Sequence, residues 1–477
     1  MDFLHWLILF GIYGIALGTA GHALMYKRDP RSALTWIAIS LAIPPVGSLL
    51  YFLLGINRVR TKAQKEKQRA PLTIWGQGLT FDSPSGHNPW DALAPQYREI
   101  ARMADALTRW PLTDCNAIDI LHNGETAFPK MLEAIRGAHS SVYLSSYIFE
   151  SNTTGREFIE ALAQASRRGV DVRVIIDGIG DLYSWPRASR LLAKHGVPVA
   201  RFLPPKLLPP SMIINIRNHR KILAVDGTIA FAGGMNIGDR HLAADQNNPH
   251  RVVDIHFQFQ GPIVSQIEEA FLEDWGFAAN ETAPPPSKPH RCAHGQALCR
   301  TVIDGPSKEM DKLPMILVGA IAAARHSIAL MTPYFLPPQQ IIAALQAAAL
   351  RGVEVQILLP EQNNLPYMRW ATDNMLWELL QHGVDVAYQP PPFVHSKFFV
   401  VDEDFALVGS PNIDPRSLRL NFELAIEVYD VAFARQLLAH FHAIRNTSRP
   451  VSLEEVDARP LPIRIRDSLS WLFSPYL

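Results

Sequence analysis

The chain has 477 residues, 48% of them hydrophobic and 19% charged, with 45 Lys+Arg against 45 Asp+Glu. That length gives room for two or three domains, and the low charged share departs from an ordinary soluble composition. A formal net charge of zero gives no global basic field for nucleic acid, and three scattered cysteines, Cys115, Cys292 and Cys299, make no disulfide framework and fit a reducing compartment.

The first elements are apolar. Phe3 to Leu24 holds no Asp, Glu, Lys or Arg, and neither does Ser32 to Asn57. Each stretch exceeds the roughly 20 residues that cross a bilayer core. The short polar connector from Lys27 to Arg31 makes residues 1–57 a transmembrane helical hairpin, with Pro44-Pro45 kinking or unwinding the second helix. A cleaved leader is the competing reading, but it wants a basic start, and only Asp2 and His5 are there. Arg58, Arg60, Lys62, Lys65, Lys67 and Arg69 follow the hairpin. They outnumber Lys27, Arg28 and Arg31 of the connector and place the rest of the chain on the cytoplasmic face of a cell membrane that the chain crosses more than once. Residues 58–113 read as a tether.

The remainder is a repeat. Arg168-Gly169-Val170-Asp171-Val172 recurs as Arg351-Gly352-Val353-Glu354-Val355, and His195-Gly196-Val197-Pro198-Val199 as His382-Gly383-Val384-Asp385-Val386. Residues 134–149 and 320–335 share a pattern, and a Pro-rich linker, Pro284 to Pro289, divides the halves. In each half Ala-rich helical stretches lead through Gly into continuous β-branched runs, as at Val170–Ile176 and Val353–Leu359. This rhythm predicts sheets covered on both faces. The fold expected is two tandem α/β domains, 114–283 and 290–477, packed face to face.

One motif occurs in both halves. His219-Arg220-Lys221 is followed by Asp226, Gly233 and Asn236, and His395-Ser396-Lys397 by Asp402, Gly409 and Asn412. Two copies of H-x-K-x4-D-x6-G-x2-N at equivalent places in a repeat are far outside chance. In a strand the His and Lys, two apart, share one face, so two facing domains would bring two His and two Lys to one spot. That set suits a phosphodiester. Lys neutralises the non-bridging oxygens and Asn amides donate to them. One His attacks phosphorus while the other protonates the leaving alkoxide. No metal and no cofactor is required. Each His needs a group to fix its tautomer; Glu423 is expected to orient His395, and Asp254 to orient His219. Asp226 and Asp402 are candidates for catalysis, with a turn or ion-pair role as the other reading of the same spacing. Gly233, Gly234 and Gly409 let the backbone turn.

These residues resemble the duplicated HKD signature of the phospholipase D superfamily. The hairpin ending in Leu53-Leu54-Gly55-Ile56-Asn57, Gly261-Pro262-Ile263 followed by Asp274-Trp275, and the ending Phe473-Ser474-Pro475-Tyr476-Leu477 make the chain similar to bacterial cardiolipin synthases of the two-helix type. The resemblance covers essentially the whole chain. It implies two phospholipase D-like domains and a phosphatidyltransferase of the bacterial inner membrane that works on membrane phospholipids, without nucleic acid. It also implies a reaction in which two phosphatidylglycerols give cardiolipin and glycerol through a phosphatidyl-histidine, formed on His219 with His395 as acid and then base. A phospholipase D hydrolase and a phosphatidylserine synthase-like transferase remain alternatives on residue grounds. Two further segments read as membrane contacts: the apolar, Pro-punctuated run Leu207–Ile216, and the basic and aromatic end with Arg464, Arg466, Leu469, Trp471, Leu472 and Phe473.

Overall fold

A computed structural model of the chain describes residues 3–27, 30–55, 89, 93–205, 216–287, 295–306 and 311–474. They belong to two compact units, a small N-terminal one and a large one that contains both repeats.

In the small unit the helix Phe3–Tyr26 runs 24 residues. At 1.5 Å per residue this is about 36 Å, enough for a hydrocarbon core of about 30 Å. Among the described residues it is the one helix long and apolar enough to cross a membrane. The second apolar stretch is broken at the proline pair, where a kink or unwinding was expected. A helix Pro30–Ala42 stops at the proline pair, and the chain resumes as a short helix Val46–Leu50 and a π-turn Tyr51–Gly55. The reason is local: Pro44 and Pro45 offer no N–H to a helical ladder. Thirteen residues of helix are too short to span alone. The two segments still pack on each other: the Tyr51 hydroxyl lies 2.7 Å from His22 Nδ1, and the Trp36 ring meets Tyr51 edge-on beside Ala23.

In the large unit the repeat is visible as topology. The first half orders its strands as Thr113–His122, Ile255–Gln260, Ile229–Gly233, Ile222–Val225, Ser141–Ser146, Asp171–Asp177 and Val199–Phe202. The second half has the same order: Ala297–Asp304, Glu423–Tyr429, Phe405–Gly409, Phe398–Val401, Ser327–Met331, Glu354–Pro360 and Asp385–Gln389, with Arg449–Pro450 at its edge. The last three strands of each set of seven run parallel and the others antiparallel. The leading strands of the two halves pair with each other across a bulge at Thr113–Asn116, which joins the halves into one 15-stranded sheet. Each half has an apolar core on its outer side. A third core is shared: Ala224 and Phe257 of one half, Val400 and Ile426 of the other, and the helices Ile263–Ala279 and Val431–Arg445.

Two expectations are revised here. Part of the tether is integral to the fold: Tyr97, Ile100, Ala101 and Ala104 of the helix Pro95–Leu107 pack with Leu313, Ile316 and Leu317 in the core of the second half. The cysteines are not all thiols, either. Cys299 is free and buried, but Cys115, at the bulge where the halves meet, is disulfide-bonded.

Candidate active site

His219 and Lys221 lie on extended chain just ahead of the strand Ile222–Val225. His395 and Lys397 fill the gap between Phe393–Val394 and Phe398–Val401. Each regular strand therefore begins one residue after its Lys, yet the two-residue spacing still brings His and Lys together. Lys221 Nζ donates to the His219 carbonyl at 2.7 Å, and Lys397 Nζ to the His395 carbonyl at 2.6 Å. Both histidines open on one cavity of about 1410 Å³, together with Asn236, Asn412, Tyr147 and Tyr334. The lysines stand behind the rings, 3% and 4% exposed. Cations so placed set up a positive field in a low-dielectric site.

The histidines and their carboxylates pair across the repeat, not within it. The His219 N–H donates to the Phe422 carbonyl at 2.9 Å, and the His395 N–H to the Val253 carbonyl at 2.7 Å. The next residues are Glu423 and Asp254. His219 Nδ1 lies 3.0 Å from Glu423 Oε1, and His395 Nδ1 lies 2.8 Å from Asp254 Oδ2. The expected pairing of Asp254 with His219 and Glu423 with His395 is thereby corrected. The physical reason is the two-fold arrangement of the halves: parallel bridges Asn218–Phe422 and Val252–Val253 with Phe393–Val394 stitch each motif to the opposite half. Lys397 Nζ also approaches His395 Nδ1 at 3.0 Å. That nitrogen gives its proton to Asp254 and has no lone pair left to accept another.

Burial sets the protonation states. It pushes the His219 ring down to about 4, against the pull of Glu423 and with the help of Lys221. His395 falls well below its ordinary value, by burial and then by Lys397 and Lys221. Burial also lowers Lys397 to about 8 and Lys221 far below its usual range, although Glu423 and Asp254 oppose it. Burial alone would raise Glu423, but the His219 ring, Lys221 and the Ser410 hydroxyl hold it down to about 2. Asp254 is raised, because burial outweighs Lys397 and His241. Near neutrality both imidazoles are uncharged, with Nδ1–H given to a carboxylate and the Nε2 lone pair left for chemistry.

The two dyads are not equivalent. Glu423 also accepts from Ser410 Oγ and Asn421 Nδ2. At the place of Ser410 the first half has Gly234, where a Cβ would stand 2.6 Å from Asp254 Oδ1. Gly409 is needed for the same reason: its φ is 154°, and a Cβ there would lie 2.3 Å from the Leu424 carbonyl oxygen, beside Glu423. Sequence reasoning passed over Ser410, Tyr147, which meets the His219 ring edge-on at 5.4 Å, and Arg220. Arg220 is buried, pairs with Asp274 at 2.8 Å and donates to the Glu423 carbonyl at 3.0 Å. Its signal was present, since the middle motif position is Arg in one half and Ser in the other and Asp274 stands out in the same half.

Asn236 and Asn412 line the cavity. Asn236 Oδ1 accepts from the Ile148 N–H, which turns its amide donors away from that contact. Asn412 Nδ2 meets Ser417 Oγ, and its Oδ1 is buried without a partner. Exchanging the two ends of that amide satisfies Ser417 equally.

Asp226 and Asp402 are placed elsewhere. Both have positive φ in hairpin turns, 53° and 51°. Asp226 accepts the N–H groups of His139, Ser140 and Ser141, and Asp402 those of Arg325, His326 and Ser327. Four strand residues separate each from its Lys, a distance of about 16 Å along the chain. Neither bonds His219 or His395, so the geometry selects the turn reading over the catalytic one.

The family model described as cardiolipin synthase, PLD-like domain, matches residues 131–275 and again 317–445, and a phospholipase D-nuclease N-terminal model matches 14–55. The major cardiolipin synthase ClsA of Bacillus subtilis (strain 168) is 31% identical over 464 residues, 94% of this chain and 95% of its own. The cardiolipin synthase of Clostridium perfringens (strain 13 / Type A) is 30% identical over 458 residues, 94% of this chain and 95% of its own. Among solved structures, phosphatidylserine synthase from Haemophilus influenzae Rd KW20 superposes with a TM-score of 0.59 at 15% identity, over 80% of this chain and 100% of that one, a likeness of fold. The resemblance carried by the two motifs thus holds along nearly the whole sequence: the chain belongs to the cardiolipin synthase family of the phospholipase D superfamily.

Proposed function

We propose that the chain transfers a phosphatidyl group from one phosphatidylglycerol to another through a covalent phosphatidyl-histidine. The observation that carries this is the pair of crossed His–carboxylate dyads opening on one cavity. In the first step His395 carries a second proton, on Nε2, taken up as the phosphodiester anion enters; His219 Nε2 attacks phosphorus, the bond from phosphorus to the glycerol headgroup oxygen breaks, and His395 gives that oxygen its Nε2 proton. In the second, His395 takes the proton from the glycerol hydroxyl of the acceptor lipid, whose oxygen displaces the histidine. Phosphorylation puts positive charge on the ring, which favours His219 as nucleophile because Glu423 is the fully ionised carboxylate and Asp254 the one pushed up. Lys221, Lys397, Asn236 and Asn412 stabilise the phosphoryl oxygens, and Asp226 and Asp402 hold turns. Burial lowers the lysine pKa values, so an arriving phosphodiester anion draws protons onto them.

Purified protein given labelled phosphatidylglycerol alone tests the reading. Cardiolipin with released glycerol supports transfer; phosphatidic acid identifies a hydrolase, the reading that water as acceptor would give. The side of the membrane has two opposed supports. The basic run from Arg58 to Arg69 favours a cytoplasmic catalytic unit, and the Cys115 disulfide favours the oxidising face. Protease protection in sealed vesicles of known orientation decides. Of the two proposed membrane contacts, Leu207–Asn215 lies outside the described residues, and Ile216 is buried. The carboxyl-terminal helix Leu461–Leu472 leaves Leu461, Ile465, Leu469 and Leu472 exposed on one stripe, with Phe473 beyond it, as a headgroup contact requires.

A further inference from the structure

A second, smaller depression of about 370 Å³ is lined by Arg187, Ser189, Arg190, Ala193, Val199 and Arg201. Its three arginines come from different places in the fold: the turn before the helix Ala188–Lys194, that helix, and the strand Val199–Phe202. In a chain of zero net charge this is a local concentration of one sign. The nearest carboxylates in sequence are engaged with other groups: Asp181 with the N–H and hydroxyl of Ser189 in the wall of the depression, and Asp177 with Arg217. No ion pair among the described residues includes Arg187, Arg190 or Arg201.

The depression is linked to the cavity through one side chain. Trp185 lines the cavity, is 78% exposed, and has the Arg190 guanidinium 5.6 Å from its ring centroid. Leu182 and Tyr183 on the same turn are 46% and 56% exposed. Large apolar rings held in water next to unpaired guanidinium groups are the chemistry of a lipid headgroup boundary, where the indole enters the interface and the cations meet phosphates. We propose that Arg187, Arg190, Arg201 and Trp185 form a docking site for the anionic phospholipid headgroups of a bilayer surface, which sets the cavity mouth against the lipids it draws from. This rests on the reading that the substrate is a phospholipid.

The test uses the full chain reconstituted into vesicles, with Trp185→Cys carrying an environment-sensitive fluorophore and the unsubstituted chain treated alike as a blank. Vesicles of phosphatidylcholine containing phosphatidylglycerol are expected to shift the probe emission to the blue. Phosphatidylcholine alone leaves it unshifted, and Arg187→Gln/Arg190→Gln/Arg201→Gln abolishes the shift, as does high salt. Emission that ignores lipid charge overturns the proposal. So does a shift produced by inorganic phosphate without anionic lipid, which would make the depression a site for a soluble anion. A second arm measures the triple variant in mixed micelles of varying phosphatidylglycerol content. The apparent interfacial KM rises about tenfold, while kcat and the turnover of a water-soluble aryl phosphodiester stay at the parent level. A matching fall on the soluble substrate assigns the arginines to folding and overturns the proposal. If the parent chain turns over the soluble ester but not phosphatidylglycerol, the proposed function fails while the fluorescence result still stands or falls by itself.

Discussion

Replacing Glu423 by Gln keeps the volume of a fully buried side chain but removes its charge and one acceptor. The carboxylate lies 3.0 Å from His219 Nδ1. At that distance an ion pair forming in the transition state is worth about 5 kcal/mol at an effective dielectric of about 20. Retained hydrogen bonding gives part of this back. An amide that turns its N–H toward Nδ1 also fixes the wrong tautomer, with the proton on the attacking nitrogen. The expected loss is about 10³- to 10⁴-fold in kcat/KM. The assay is an aryl phosphodiester whose leaving group departs without protonation, so that only nucleophilic attack is read. On this substrate Glu423→Gln should lose that full factor, and Asp254→Asn, which disturbs the general acid, less than about tenfold. On phosphatidylglycerol both should fail, because the glycerol leaving group needs the acid. If Asp254→Asn is the crippling change on the aryl ester and Glu423→Gln the mild one, the assignment of nucleophile and acid to the crossed dyads is refuted.

Other outcomes follow from the same structure. Asp226→Ala removes the acceptor of three backbone N–H groups and should cost about 2–4 kcal/mol of stability. At a permissive temperature activity should remain within about threefold, and loss of activity in a fully folded variant would return Asp226 to the chemistry. His219 should stay unprotonated, and so nucleophilic, until pH falls to about 4, so the acid limb of the aryl ester profile should sit well below the ordinary imidazole value. The same lowered pKa means that unfolded chain takes up a proton that folded chain refuses, and stability declines as pH drops from about 6.5. An acid limb at 6.5 contradicts this. Vanadate should bind less well as pH rises through about 8, where buried Lys397 loses its proton; pH-independent inhibition removes Lys397 from phosphate recognition. Among the described residues no cluster of His, Cys, Asp and Glu could hold a metal ion, and activity should persist in EDTA, with metal-restored activity as the contrary result.

The sequence by itself determined what repetition and short-range geometry can encode. Two His-x-Lys motifs at equivalent places announced two like halves, and a spacing of two residues was enough to bring each Lys to its own His carbonyl. Pro44-Pro45 interrupted a helix because the missing N–H groups are a property of the residues themselves. Tertiary structure alone decided which half supplies which partner. Spacing along the chain carries no information on whether Glu423 or Asp254 faces His219, because the answer depends on a two-fold packing that threads each motif beside the opposite half. For the same reason the Arg at the middle motif position marked a difference between the halves but not its partners, Asp274 and the Glu423 carbonyl, and Cys115 gave no sign that it would be disulfide-bonded. The arginines at 187, 190 and 201 read as ordinary surface charge until the fold left them together without a carboxylate, next to an exposed tryptophan. Contacts between residues far apart in sequence are set by how sheets and helices pack, and that information appears only when the chain has closed on itself.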